Sequence, residues 1–172
     1  SEGTSNINLL KKITLLLEKQ SCTDNEVFYS AATKLHELDP TAKSAYDMGN
    51  MSINKNNFID AVNYLKEAID LEMYITGDNV PLDSNLIASY YLRLAYAYQK
   101  KGSYYEARSV AMKAANLKSD WGEPFLILGD IYVASANSCG NNNLERGAVY
   151  WVAVDMFKKA KSVDDILSSK AN

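Results

Sequence analysis

Two segments of this chain follow one pattern. Residues 57–71 align with residues 103–117. Phe58 or Tyr104 opens each segment, Ala61 or Ala107 follows three positions later, Ala68 or Ala114 comes seven beyond that, and Leu71 and Leu117 close them in register. These spacings put the small residues on one helical stripe, where a neighbouring helix can approach closely. The aromatic side chain then fills the groove beside the stripe. A chain built this way must stack helices on helices, and no alternating strand pattern competes with it.

A helix of different character precedes each segment. Residues 91–98 run Tyr91, Leu92, Arg93, Leu94, Ala95, Tyr96, Ala97, Tyr98, and residues 45–53 contain Ala45, Tyr46, Met48, Gly49 and Ile53. In both, a large residue, a Leu or Met and a Gly or Ala share a face. Gly102 stands where the chain must turn, a natural left-handed position. Ser103 and Glu106 have the spacing of a capping box for the following helix, and Asp120 and Glu123 have it for a later one.

This pattern resembles the tetratricopeptide repeat family, a helix–turn–helix unit of about 34 residues. The signature positions are matched by Tyr91, Leu94, Ala95, Tyr98, Gly102, Tyr104, Ala107 and Ala114, and in the preceding unit by Met48, Gly49, Phe58, Ala61 and Ala68. Asp39 and Pro40 close an earlier unit in the family's manner, and Phe125, Leu128, Gly129 and Tyr132 open a later one. The resemblance implies an all-α fold, a right-handed α-solenoid of antiparallel helix pairs. Four units and eight helices are expected, at about 7–41, 42–75, 84–119 and 120–165, with insertions at 76–83 and 137–143. The whole chain, 1–172, is read as one array. Ile7, Leu9, Leu10, Ile13, Leu15, Leu16 and Leu17 wrap round the first helix, and residues 149–154 are apolar on every side of the last. A terminal repeat should have a polar outer face. The array is therefore expected to be a piece of a longer one, or to self-associate through its end helices.

Stacked units of this family form a concave groove lined by the first helix of each pair, and the groove holds a peptide or a partner's helix. By that resemblance the groove residues here are Tyr46, Asp47, Asn50 and Asn54 in the second unit, Arg93, Tyr96 and Lys100 in the third, and Asp130 in the fourth. Ile13 and Leu17 would take the place in the first. Tyr46 and Tyr96 either offer flat contact area or only fill space between helices. Arg93 either forks onto a partner's carboxylate or pairs with Asp47 or Asp130. The family's clamp for chaperone tails is missing, because the positions that need Lys, Asn and Arg hold Ile13, Leu17, Leu92 and Tyr96.

Other classes are disfavoured. The net charge of −3 gives no basic footprint for nucleic acid. No apolar run approaches the roughly 20 residues of a membrane span. Cys22 and Cys139 form no metal or redox motif. His36 is the single histidine and reads as structural, the nucleotide and hydrolase signatures are absent, and the chain is expected not to be an enzyme. Asn141, Asn142 and Asn143 read as a polar loop rather than a cation site, so neither metal nor cofactor is expected. Twelve tyrosines against four phenylalanines suit a ribbon-like helical protein with little deep interior. The stretches around Trp121, Gly129–Tyr132, Ser138–Gly140 and Ala148–Asp155, with Ser21–Asp24 and Lys34–Pro40, look like the C-terminal arrays of tetratricopeptide proteins of Bacteroidetes-type bacteria. That likeness implies an exported, periplasmic protein, with the cytoplasm as the alternative. Its partner would be a protein or peptide.

Overall fold

The computed structural model describes residues 2–23, 25–76, 83–139, 142–164 and 166–167. Among them are eight α-helices and no strand. They divide into two compact units, 1–81 and 82–172. The first holds α1 (Glu2–Lys19), α2 (Glu26–Leu38), α3 (Ala42–Asn54) and α4 (Phe58–Thr76). The second holds α5 (Ser84–Lys101), α6 (Tyr104–Leu117), α7 (Glu123–Ser135) and α8 (Asn143–Val163). Neighbours in sequence pack as pairs, α1 with α2, α3 with α4, α5 with α6 and α7 with α8. The expected insertion at 76–83 falls largely outside the described residues, as do Gly140 and Asn141 of the second.

Three of the four first helices end alike. Ser21, Asn56 and Gly102 each take a positive φ, at 54°, 57° and 84°. In each, the next residue's N–H reaches back five positions: Cys22 to Leu17, Asn57 to Ser52 and Ser103 to Tyr98, at 2.8, 2.8 and 2.9 Å. This Schellman closure reverses the chain into the partner helix. Only Gly102 adopts it without a Cβ penalty. Ser21→Gly is expected to stabilise the chain by about 1 kcal/mol, and Asn56→Gly by less because Asn tolerates this region. Urea unfolding of both variants checks it. The fourth pair departs from the rule: α7 runs on into a 3₁₀ turn at Ala136–Ser138 before α8 begins.

Two expected caps are corrected. Ser103 makes no side-chain cap to α6. Asp120 does not cap α7, whose N-cap is Gly122, with Pro124 in the first turn. Here the Gly122 N–H donates to Asp164 Oδ2 at 3.2 Å, so the end of α8 supplies the cap that local sequence was expected to provide. Asp164 is the C-cap of α8, and the N–H groups of Gly122, Leu167 and Ile166 hold its carboxyl below the usual range. Elsewhere, Asn25 caps α2, Thr41 and Ser44 form a full capping box on α3, and Asp83 caps α5. Asn142 accepts from the Glu145 N–H at 2.9 Å and so caps α8.

The alanine stripes are the tightest contacts. Ala45, Ala61, Ala68, Ala95, Ala107 and Ala114 are all fully buried. In the first unit Phe28, Ala32, Met48 and Met51 form a core, with Leu17, Tyr29 and Tyr64 packed on it. In the second, Ala95, Ala107, Ala111, Leu128 and Ile131 do the same, with Tyr98, Tyr104 and Phe125 around them. Gly49 lies against the Leu65 side chain and Gly129 against the Phe157 ring, so the signature glycines are there for close approach. Lys and Arg cover several aromatic faces: Lys55 on Tyr29, Lys113 on Tyr91, Arg108 on Tyr132 and Lys118 on Trp121. The other indole, Trp151, stands 67% exposed on α8.

Candidate partner-binding faces

In the first unit the expected residues sit on α3. Tyr46, Asn50 and Asn54 recur at four-residue steps and share one face, with Asp47 on its edge. Tyr46, Asp47 and Asn50 are half-buried and Asn54 is exposed. Lys43 joins the same face one turn earlier. Its Nζ lies 2.6 Å from Glu18 Oε1 on α1 and 2.6 Å from Asp47 Oδ2. Beneath this triad is a cavity of about 280 Å³ between α1, α2 and α3. It is lined by Leu15, Ala32 and Leu35 together with Lys11, Glu18, Lys43 and Asp47. Lys11 is tied to Asp39 at 2.6 Å.

Electrostatics mark Asp47 out. Burial pushes its carboxyl up from 3.8 to about 6; the hydrogen bond and charge of Lys43 oppose this, and the nearby Glu18 charge adds to it. Burial also works against the Lys43 ammonium, but Asp47 and Glu18 outweigh it and lift that group above its usual range. Two carboxylates share one ammonium here, which donates to Glu18 Oε1 and to both oxygens of Asp47.

The first helix needs a correction. Ile13 and Leu17 were expected on the groove face. Leu17 instead packs onto the core beside Phe28 and Met48, and Ile13 lines a separate hollow with Leu10, Val27 and Ala31. The residues of α1 that reach the α3 face are Thr14, Leu15 and Glu18. A helix apolar on every side gives no periodicity from which to read its face. The usable signal was the polar pair Thr14 and Glu18, four apart in an otherwise apolar run, together with Lys43 and Asp47 at the same spacing.

His36 packs between helices. Its Nδ1 lies 3.0 Å from Ser44 Oγ on α3, and its Nε2 lies 3.4 Å from Glu67 Oε2 on α4. The Tyr64 ring meets it edge-on at 5.6 Å. One imidazole on α2 therefore holds α3 and α4.

In the second unit Arg93, Tyr96 and Lys100 share one face of α5. Arg93 and Tyr96 are half-buried, and the exposed Lys100 places its Nζ 5.3 Å from the Tyr96 ring centre. Asp130 is exposed on α7. Among the described residues no group of His, Cys, Asp or Glu could hold a metal ion, and no helix is long and apolar enough to cross a membrane. Neither Cys22 nor Cys139 is in a disulfide.

Successive antiparallel helix pairs, closed by left-handed turns and packed on alanine stripes, define a helical-repeat solenoid fold of the tetratricopeptide type. Among solved structures the chain is similar to MamA, a helical-repeat protein. One crystal structure of MamA matches with a TM-score of 0.68 at 19% identity, covering 96% of this chain and 81% of that one. A second matches at 0.69 and 19%, covering 94% and 75%. No family model matches the chain, and no curated protein matches its sequence.

Proposed function

We propose that this chain is a non-enzymatic interaction module that holds a peptide or helix of a partner protein on the faces of its first helices. The observation that carries this is the chemistry of those faces. Tyr46, Asn50 and Asn54 on α3, and Arg93, Tyr96 and Lys100 on α5, combine flat aromatic area with groups that bind backbone amides and carboxylates. We read the four helix pairs as successive repeats of one array. Export to the periplasm is part of the proposal and rests on the sequence resemblance alone.

The test uses wild type as bait in lysate of the source cells, beside two variants, Tyr46→Ala with Asn50→Ala, and Arg93→Glu with Tyr96→Ala. A partner identified by mass spectrometry is then made pure and its affinity measured. Loss of about tenfold or more in either variant, with helicity unchanged, is the expected result. Equal affinity for all three baits overturns the assignment.

A second reading is assembly through the end helices. It is favoured by Leu9, Leu15 and Leu16 on α1 and by Leu144, Tyr150 and Trp151 on α8, all exposed. It predicts concentration-dependent association in light scattering, suppressed by Leu16→Glu or Trp151→Glu. A monomer at every concentration would remove this reading.

A further inference from the structure

We infer that the cavity between α1, α2 and α3 takes an arginine side chain from a basic partner peptide, displacing Lys43. This deepens the peptide-holding proposal and rests on it. The position is already filled by a cation: the Lys43 ammonium sits between Glu18 and Asp47, at 2.6 Å from each. Lys43 is tethered to α3 and its side chain stays 59% exposed, whereas Glu18 and Asp47 are 28% and 18% exposed. The carboxylates therefore belong to the wall, and the ammonium is the more exposed partner.

Charge complementarity names the occupant. Two carboxylates face one ammonium, and Lys11, the other cation lining the cavity, is held by Asp39. Over residues 1–81 there are twelve Asp and Glu against seven Lys and Arg, so the surrounding field also draws cations. A guanidinium forks onto two acceptors, which a single ammonium does less well. Its aliphatic stem would lie on Leu15, Ala32 and Leu35. The cavity, about 280 Å³, exceeds the roughly 30 Å³ share of one water severalfold, which leaves room for a long side chain.

The experiment immobilises pools of random nonapeptides with a fixed central arginine, beside pools with citrulline or glutamate at that position. Retention of the full chain is measured at low ionic strength for wild type, Lys43→Met and Asp47→Asn, each checked for helicity by circular dichroism. Citrulline keeps the shape and removes the charge. Lys43→Met keeps the stem and removes the internal competitor, and Asp47→Asn is nearly isosteric. The arginine pool is expected to retain wild type roughly tenfold better than the citrulline pool, Lys43→Met to raise that retention severalfold, and Asp47→Asn to abolish the difference. Equal retention by arginine and citrulline pools, or no gain in Lys43→Met, overturns the inference. Arginine-independent binding that is lost only in the Arg93 and Tyr96 variant also overturns it, yet leaves the peptide-holding proposal standing. No retention by any pool, together with no partner captured in lysate, overturns both.

Discussion

Leu65→Ala is expected to lower the unfolding free energy by about 2–5 kcal/mol, and Gly49→Ala to reverse sign in its presence. Leu65 on α4 is fully buried, so truncation loses its transfer energy and leaves a cavity. A methyl on Gly49 would meet Leu65 Cγ at 2.6 Å and Cδ2 at 2.8 Å, and Leu65 has no open space to yield into. In wild type the crowding, about 1–3 kcal/mol, outweighs the gain of about 1 kcal/mol in helix propensity. In the Leu65→Ala background the same methyl enters the vacated space, and only the propensity gain and some cavity filling remain. Gly49→Ala should thus destabilise wild type and stabilise the Leu65→Ala variant, with a coupling of about 1–3 kcal/mol. Urea unfolding of the four proteins with a common m-value decides it, and additive energies would show that the two helices do not meet here.

The stability of the chain should rise as pH falls through about 6 toward 3.8. The cause is Asp47. Its folded carboxyl titrates at about 6 against an ordinary 3.8, so the folded state binds the proton more tightly. Stability from this group is therefore gained as pH falls through that window and lost as pH rises through it. The size is on the order of 1–3 kcal/mol. Asp164 acts with the opposite sign and lower on the scale. Its carboxyl is held below 3.8, so its contribution is present above that value and is lost as pH falls further. The melting temperature should accordingly peak on the acid side, between the two windows. Asp47→Asn should flatten the upper limb and leave the lower one intact. An upper limb unchanged in Asp47→Asn would place the titrating group elsewhere.

The repeat was legible because its signals are local and recur. Phe58, Ala61 and Ala68 against Tyr104, Ala107 and Ala114 state a packing rule twice, and Gly102 marks a turn that Ser21 and Asn56 make without glycine. The eight helices followed from that register. Capping was less legible, since a cap satisfies an orphan N–H from any direction. Asp164 reaches Gly122 across 42 residues of sequence, and no window on residues 120–123 contains it. The four-residue spacing of Tyr46, Asn50 and Asn54 sets them on one face of α3, with Asp47 on its edge. The cation between Glu18 and Asp47 was missed because a triad over three turns of two helices is a tertiary fact, and the apolar run of α1 concealed which side Glu18 takes.

Both tryptophans lie in the second unit, Trp121 beneath the Lys118 ammonium and Trp151 in the open on α8. The protein is thus optically lopsided. Indole emission follows only residues 82–172, while the far-ultraviolet helix signal follows all eight helices. Damage at Leu65, Gly49 or Asp47 belongs to the half that holds no tryptophan. A melt recorded by tryptophan alone would report those variants only as far as the two halves unfold together, so the gap between the emission and dichroism curves measures how far the unfolding of one half is coupled to that of the other.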